Sequence, residues 1–510
     1  MKILKKLFSR IALMLLIILI EIAVVYVGAI ILMIMFWPLI FVFIGLNVVV
    51  FFLIINRKGV ADLKIPWIVT VLVLPILGVL FYIFFANHGL KPRYRKIVKA
   101  NNIKAEKYLK ETRNDIGALV KSGNQYMTPF QYLANATNNV PTFGNKVTYY
   151  KCGEEWFPEF INELKTAKEF IFMEFFIIDR HSKYWKEIES VLIKKASEGV
   201  EVRLLYDDIG CAGLLHSWYP QKMRKKGIKC YRFNPFIPLL SGIFNNRDHR
   251  KIAIIDHKEA FTGGINLSDE YANEIARFGY WKDAMIKIEG PAIDNLIFIF
   301  LSFYDIARVK VSNFDKYIGY DYPSQKENAL VTAFGDGPAP FLELNNGEST
   351  FINMIENAKE SVYISTPYFI PTENLKEAIL RAGYRGIDVR ILLPGIPDKK
   401  MVYRMALRYL GDLSKAGIKV YRYNEGFNHE KAVVVDGKIA FIGTINMDYR
   451  SLVHHFECGA IFMNSEAVKD VEDDLLDCFA HSEFIDPEHV HLNLLSRLIC
   501  AILNIYSQML

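Results

Sequence analysis

A sparse polar pattern, HxK(x)4D(x)6G[GT]xN, occurs twice in this chain with identical internal spacing. The first copy is His249, Lys251, Asp256, Gly263-Gly264 and Asn266; the second is His429, Lys431, Asp436, Gly443-Thr444 and Asn446. In both copies the four residues between Lys and Asp are apolar, IAII and AVVV. Such a run reads as a β-strand, and its period of two sets His and Lys on one face. Asp256-His-Lys and Asp436-Gly-Lys read as hairpin turns. The return strand then carries the Gly-x-Asn segment back beside the His and Lys, and its glycines let the backbone approach a ligand closely.

The surroundings of the pattern repeat as well. AKEFIFMEFFI (167–177), GVEVRLLYDD (199–208) and KKGIKCYRF (225–233) precede the first copy. AKESVYISTPYFI (358–370), GIDVRILLP (386–394) and KAGIKVYRY (415–423) precede the second, at an offset of about 190 residues. A repeat of that size is a duplicated domain rather than a solenoid of short units. Short β-branched runs alternating with Lys- and Glu-rich stretches predict an α/β fold with a largely parallel sheet in each half.

These residue types suit a phosphodiester. Histidine can attack phosphorus or carry a proton, because its ordinary pKa lies near neutrality. Lysine supplies a positive charge and asparagine a neutral amide donor for the non-bridging oxygens of a crowded transition state. Two sets facing each other put two histidines on opposite sides of one phosphorus, one as nucleophile and the other as general acid and then base. No metal or other cofactor is expected. The six cysteines form no CxxC or Cys/His metal spacing and read as reduced thiols. His181-Ser-Lys183 is a third HxK triplet, but Ile188 stands where the aspartate belongs. It reads as a charged helix face.

Hydrophobic residues make up 52% of the chain beside 23% charged, and the apolar excess lies at the front. Segments 11–31, 36–55 and 65–86 are apolar enough to read as membrane segments. They follow a basic start (Lys2, Lys5, Lys6, Arg10) and are flanked by further basic clusters at 57–64 and 91–99. Three true spans cannot keep all three clusters on one side. A hairpin plus a re-entrant or interfacial third segment can, with the main domain in the cytoplasm. Glu21 lies inside the first span and needs an internal partner. The expected organisation is a membrane anchor over 1–100, a first lobe over 101–325, a second over 326–490 and an amphipathic helix over 491–510. The mild net charge of +6 suits an anionic membrane surface. Nucleic acid is not expected as a partner.

With its paired motifs, the chain resembles the phospholipase D superfamily, and within it the bacterial cardiolipin synthases. GGINLSDEY (263–271), YWKDAMIKIEGPA (280–292), TPYFIPT (366–372), GFNHEK (426–431) and GTINMDYRS (443–451) carry the likeness, together with LPILGVLFYIFF (74–85). The resemblance implies a duplicated phospholipase D-like fold, two α/β lobes sharing one active site behind N-terminal transmembrane helices. It implies transfer of a phosphatidyl group from one phosphatidylglycerol to another in a bacterial cell membrane, giving cardiolipin and glycerol. His249 would be the nucleophile, forming a phosphohistidine, and His429 the acid and base. Lys251, Lys431, Asn266 and Asn446 would hold phosphate oxygens. An acidic residue would stand behind each histidine, at Asp283 and Glu457. Asp256 and Asp436 belong to the catalytic motif by name and take a supporting role, because they lie about five residues beyond the lysines. His455 departs from the asparagine often found there. Another phosphatidyltransferase or a hydrolytic phospholipase D is the alternative.

Overall fold

The computed structural model describes residues 10–57, 64–74, 76–86, 94–104, 124–235, 246–323, 325–338, 345–489, 500 and 503. Among these, fifteen strands form one sheet. In chain order the first seven are β1 (Thr142–Tyr150), β2 (Phe170–Phe175), β3 (Glu201–Asp207), β4 (Lys229–Phe233), β5 (Lys251–Ile255), β6 (Glu259–Gly263) and β7 (Met285–Glu289). The rest are β8 (Ala329–Asp336), β9 (Ser361–Ser365), β10 (Asp388–Pro394), β11 (Lys419–Tyr423), β12 (Ala432–Val435), β13 (Ile439–Gly443), β14 (Glu457–Met463) and β15 (Glu483–Phe484). From the centre outward, β1-β7-β6-β5-β2-β3-β4 and β8-β14-β13-β12-β9-β10-β11 follow one plan. The halves join edge to edge where β1 runs antiparallel to β8, Thr142 opposite Val331. Antiparallel pairing of equivalent strands relates the halves by a local two-fold axis, and β15 adds to the outer edge at β11.

The sheet is mixed, not largely parallel. Only β2-β3-β4 and β9-β10-β11 pair in parallel. Those strands are separated by helices long enough for a crossover, whereas three-residue turns join β5 to β6 and β12 to β13 and can only reverse the chain. The turns are the hairpins expected from Asp256-His-Lys and Asp436-Gly-Lys, with both aspartates at positive φ (52° and 54°).

Alternation along the strands builds the layers. Phe170 and Phe172 of β2 face a core shared by both halves, beside the helix Ile293–Arg308, while Ile171, Met173 and Phe175 face helices of the first half alone. In β12, Ala432 and Val434 face the shared core, and Val433 and Val435 face helices of the second half. Sequence position and lobe do not coincide everywhere. The boundary expected at 100 falls inside a helix over 94–104 whose Ile97 is buried in the shared core. The helix Thr128–Ala136 packs Phe130 and Leu133 into the second half's core, although it precedes β1. All six cysteines are free and buried. The HxK triplet at 181 opens the helix Lys183–Ser197, where Lys183 pairs with Glu274 at 2.8 Å.

The apolar front is helical over Arg10–Met35 (α1), Leu39–Asn56 (α2), Ile65–Val73 (α3) and Leu77–Phe85 (α4). Among the described residues, no helix is long and apolar enough to cross a membrane. Many apolar side chains there face outward, among them Leu19, Val24, Ile34, Phe41 and Leu53. Helices α3 and α4 fold back on each other so tightly that a Cβ on Gly78 would lie 2.3 Å from the Thr70 carbonyl oxygen. Both ends of this pair return to the end of α2: Lys64 donates to the Ile55 carbonyl (2.9 Å) and Arg57 to that of Ala86 (3.0 Å). Glu21 Oε2 is buried with no hydrogen-bond partner among the described residues. The helix expected over 491–510 lies outside the described residues except Cys500 and Leu503, which pack on the second half's core.

Candidate active site

Each motif histidine sits just before its strand and is stitched to the opposite half. Gly426–Asn428 runs parallel to Tyr280–Lys282, and the His429 backbone N–H donates to the Lys282 carbonyl (2.7 Å). On the other side Asp248 bridges Phe456, and the His249 N–H donates to the Phe456 carbonyl (2.9 Å). The stitching delivers a carboxylate from the other half behind each ring. His249 Nδ1 lies 2.8 Å from Glu457 Oε2, and His429 Nδ1 lies 2.6 Å from Asp283 Oδ2. An ionised carboxylate only accepts, so the imidazole proton sits on Nδ1 and Nε2 keeps its lone pair. Both rings border one cavity of about 640 Å³, with Asn266, Asn446 and His455 also in its wall.

The one difference inside the motif, Gly264 against Thr444, has a local cause. A Cβ on Gly264 would lie 1.9 Å from Asp283 Oδ1, so only glycine leaves that carboxylate its place. In the other half Glu457 has a longer side chain, and the Thr444 hydroxyl donates to it (2.5 Å) while accepting from the Cys458 N–H (2.9 Å).

The lysines are buried. Lys251 Nζ donates to the carbonyl of His249 (2.6 Å), and Lys431 Nζ donates to that of His429. Burial lowers the Lys251 ammonium to about 8 and the Lys431 ammonium to about 7. Burial, reinforced by both lysines, also holds His249 and His429 well below the ordinary histidine value, so both rings are neutral near pH 7. Burial pushes Asp283 up to about 6 against the pull of Lys431. Asn266 donates to the Tyr271 hydroxyl (2.6 Å) and accepts from the Ile177 N–H (3.0 Å). Asn446 donates to Ser451 Oγ (2.9 Å), and its Oδ1 is buried without a partner among the described residues.

The motif aspartates stand away from this cavity's wall. Asp256 accepts three backbone N–H groups, from Lys168, Glu169 and Phe170, at 2.7–2.8 Å. Asp436 accepts from Lys359, Glu360 and Ser361 at 2.7–2.8 Å, and from the Tyr126 hydroxyl at 2.8 Å. They clamp the start of the parallel strand beside each hairpin. Grouping them with the catalytic residues is therefore corrected: their carboxylates are spent on backbone at the far end of the motif strand.

His249, His455 and Glu457 are a group that could share a metal ion, their ligand atoms lying within 4.8 Å of one another. His249 Nδ1 and Glu457 Oε2 already satisfy each other by the hydrogen bond above.

A family model described as the phospholipase D-like domain of cardiolipin synthase matches residues 160–290 and 351–478, once over each half. The chain belongs to this family. A second model, described as a phospholipase D-nuclease N-terminal region, matches 45–87, across α2 to α4. Cardiolipin synthase of Alkalihalophilus pseudofirmus is 34% identical over 87% of this chain and 87% of its own. That of Geobacillus kaustophilus is 34% identical over 85% of each chain. An uncharacterized protein of Streptococcus mutans is 37% identical over 82% of this chain and 90% of its own. Among solved structures, phosphatidylserine synthase of Haemophilus influenzae shares the fold, with a TM-score of 0.57 at 15% identity over 76% of this chain and 98% of its own.

Family membership leaves several contacts at this site to be read from the structure. Tyr271 and Ser451 each stand five residues after the motif asparagine and hold its amide; the equal spacing was the available signal. Asp207, at the end of β3, accepts the Asp248 N–H (3.0 Å) and pairs with Arg247 (3.3 Å), fixing the approach to His249. Lone charges at a strand end carry no such signal in sequence.

Proposed function

We propose that this protein makes cardiolipin by transferring a phosphatidyl group between two phosphatidylglycerol molecules. The observation that carries the reading is the crossed pair of histidine–carboxylate contacts on one cavity, which suits two proton-managed displacements at one phosphorus. In the first, His249 Nε2 attacks phosphorus and the bond to the headgroup glycerol oxygen breaks. His429 gives that oxygen a proton, and glycerol leaves. In the second, His429 takes the proton from a hydroxyl of another phosphatidylglycerol, the new P–O bond forms, and the P–N bond to His249 breaks. His249 is ready as a neutral nucleophile. His429 must be protonated first, and a phosphodiester anion entering beside Lys251 and Lys431 offsets the lysine charges that add to burial in holding it neutral. Those lysines and Asn266 and Asn446 steady the non-bridging oxygens.

The reading includes attachment to the bacterial membrane. At about 1.5 Å per residue α1 spans roughly 39 Å and α2 roughly 27 Å, against a hydrocarbon core of about 30 Å. Their outward apolar side chains support a membrane hairpin. The return of α3 and α4 to the end of α2 supports a re-entrant third segment, which keeps the basic flanks and the catalytic halves on the cytoplasmic side.

Purified protein in phosphatidylglycerol vesicles tests this directly. Cardiolipin and free glycerol are expected in equal amounts. Phosphatidic acid in place of cardiolipin would assign the enzyme to hydrolysis, and no product from a folded protein would reject the reading.

A further inference from the structure

The proposed transfer, on which the role of Lys399 below depends, brings two phosphodiesters into one cavity. One is attacked. The other belongs to the acceptor lipid, a glycerol's length from the hydroxyl that attacks. Two such anions repel, and the motif lysines lie behind the first. The second calls for a cation that the motif does not contain.

The wall of the cavity holds four cations outside the motif: Arg247, Arg277, Lys399 and Arg450. Arg247 is taken by Asp207 (3.3 Å), Arg277 lies 3.7 Å from Glu270, and Arg450 has an interaction of its own and feels the Asp448 charge. Among the described residues the Lys399 ammonium lies over the face of Tyr368, with its centroid at 4.3 Å, and has no carboxylate within ion-pair distance, although its charge also pulls on the buried Asp448 carboxyl in the same wall. A cation on an aromatic face keeps its N–H groups available on the other side.

Lys399 is also well placed. Its loop follows β10 and is bolted to the segment leading into His429: the Gly395 and Ile396 N–H groups both donate to the Gly426 carbonyl at 2.9 Å. Tyr368, beneath the ammonium, is held by its hydroxyl on Asp398 Oδ2 (2.7 Å). The charge of Lys399 is felt at both His249 and His429. The equivalent loop of the first half has no such cation. Five residues beyond the end of β10 stands Lys399; five beyond the end of β3 stands Ala212. The asymmetry matches a reaction with one acceptor.

We propose that Lys399 binds the phosphodiester of the acceptor lipid, selecting an anionic phospholipid over water or a free alcohol in the second displacement.

The test compares acceptors with and without a phosphate. Wild type, Lys399→Gln and Lys399→Arg are placed in vesicles of phosphatidylglycerol and phosphatidylcholine with labelled free glycerol. Cardiolipin formation requires the lipid acceptor. Return of labelled glycerol into phosphatidylglycerol uses the same phosphohistidine with an acceptor that has no phosphate. The ratio of cardiolipin formed to glycerol exchanged is expected to fall about tenfold in Lys399→Gln, the size of a lost charge-assisted contact. Lys399→Arg is expected to restore most of it. An unchanged ratio in Lys399→Gln, or the same fall in both variants, overturns the proposal. Wild type that neither makes cardiolipin nor exchanges glycerol defeats the underlying reaction instead, a different result from an unchanged ratio.

Discussion

The two half-sites share a plan but not their surroundings. His429 backs onto a short carboxylate, Asp283, wedged against Gly264, and is ringed by Trp281, Phe427 and Tyr271 with centroids at 5.5–5.6 Å. His249 backs onto a longer one, Glu457, steadied by the Thr444 hydroxyl, and lies between Phe176, with centroids at 4.9 Å, and a second imidazole, His455, at 5.6 Å. Burial drops His455 to about 3, so that ring is neutral. Both rings are thus held by a carboxylate from the other half, but one carboxylate is placed by close contact with Gly264 and the other by the Thr444 hydroxyl, and His249 has a second imidazole beside it. Duplication supplied two copies of the same tool, and neighbouring residues made them unequal, as unequal steps of one reaction require.

The largest effects should come from the histidines. His249→Ala and His429→Ala are each expected to cut cardiolipin formation by at least about a thousandfold. They should differ in what they trap. With lipid labelled in the phosphatidyl group, His429→Ala is expected to accumulate label slowly on the protein, and His249→Ala to carry none. Label on His249→Ala alone reverses the assignment of roles.

The supports behind the rings should differ next. Gly264→Ala must push Asp283 away and is expected to lower kcat/KM about a hundredfold, the scale of an ångström-sized misplacement. Thr444→Val removes one hydrogen bond to a carboxylate and should cost only about tenfold. Equal losses in the vesicle assay would erase the contrast between the half-sites.

The pH profile sharpens it further. As pH falls through about 6, Asp283 gains a proton and no longer fixes the Nδ1–H of His429. As pH rises through about 7 to 8, Lys431 and then Lys251 lose the charge that holds phosphate. A bell with those limbs is expected in kcat/KM. Lys431→Arg should move the alkaline limb upward, and an unmoved limb would assign it to another group.

The smallest contrast lies at the motif aspartates. Asp256→Asn and Asp436→Asn weaken the backbone clamps and are expected to lower stability by about 1–3 kcal/mol, with kcat of the folded enzyme unchanged. Asp436→Asn should lose more, because that carboxylate also holds Tyr126. Denaturant melts beside vesicle kinetics separate the two effects, and a kcat loss exceeding the unfolded fraction would return these residues to the catalytic set.

Much of the fold and the site was legible in the residues themselves. The strand–turn–strand of each motif follows from an apolar run ended by Asp-x-Lys, a local signal that short-range geometry turns directly into a hairpin. The duplication follows from self-similarity alone. The sheet is not largely parallel because alternating helices and strands describe only the outer three strands of each half, whereas the hairpins legible at the motifs, together with the strands beside them, make the inner part antiparallel. The helix Thr128–Ala136 was assigned to the wrong half because chain order says nothing about which core an amphipathic face will find. Gly264 could be seen as close-packed, but not what it makes room for.

By itself the sequence determined the chemistry: which residue types come as a set, that the set is doubled, and that an apolar front precedes it. Those properties are local or repetitive, so spacing alone preserves them. Only the tertiary structure decided the pairing. Glu457 serves His249 and Asp283 serves His429, each across the two-fold, because antiparallel contact between β1 and β8 turns each half's acid toward the other half's ring. Contacts between residues 146 and 208 positions apart depend on how the halves dock, and no spacing within either half records that.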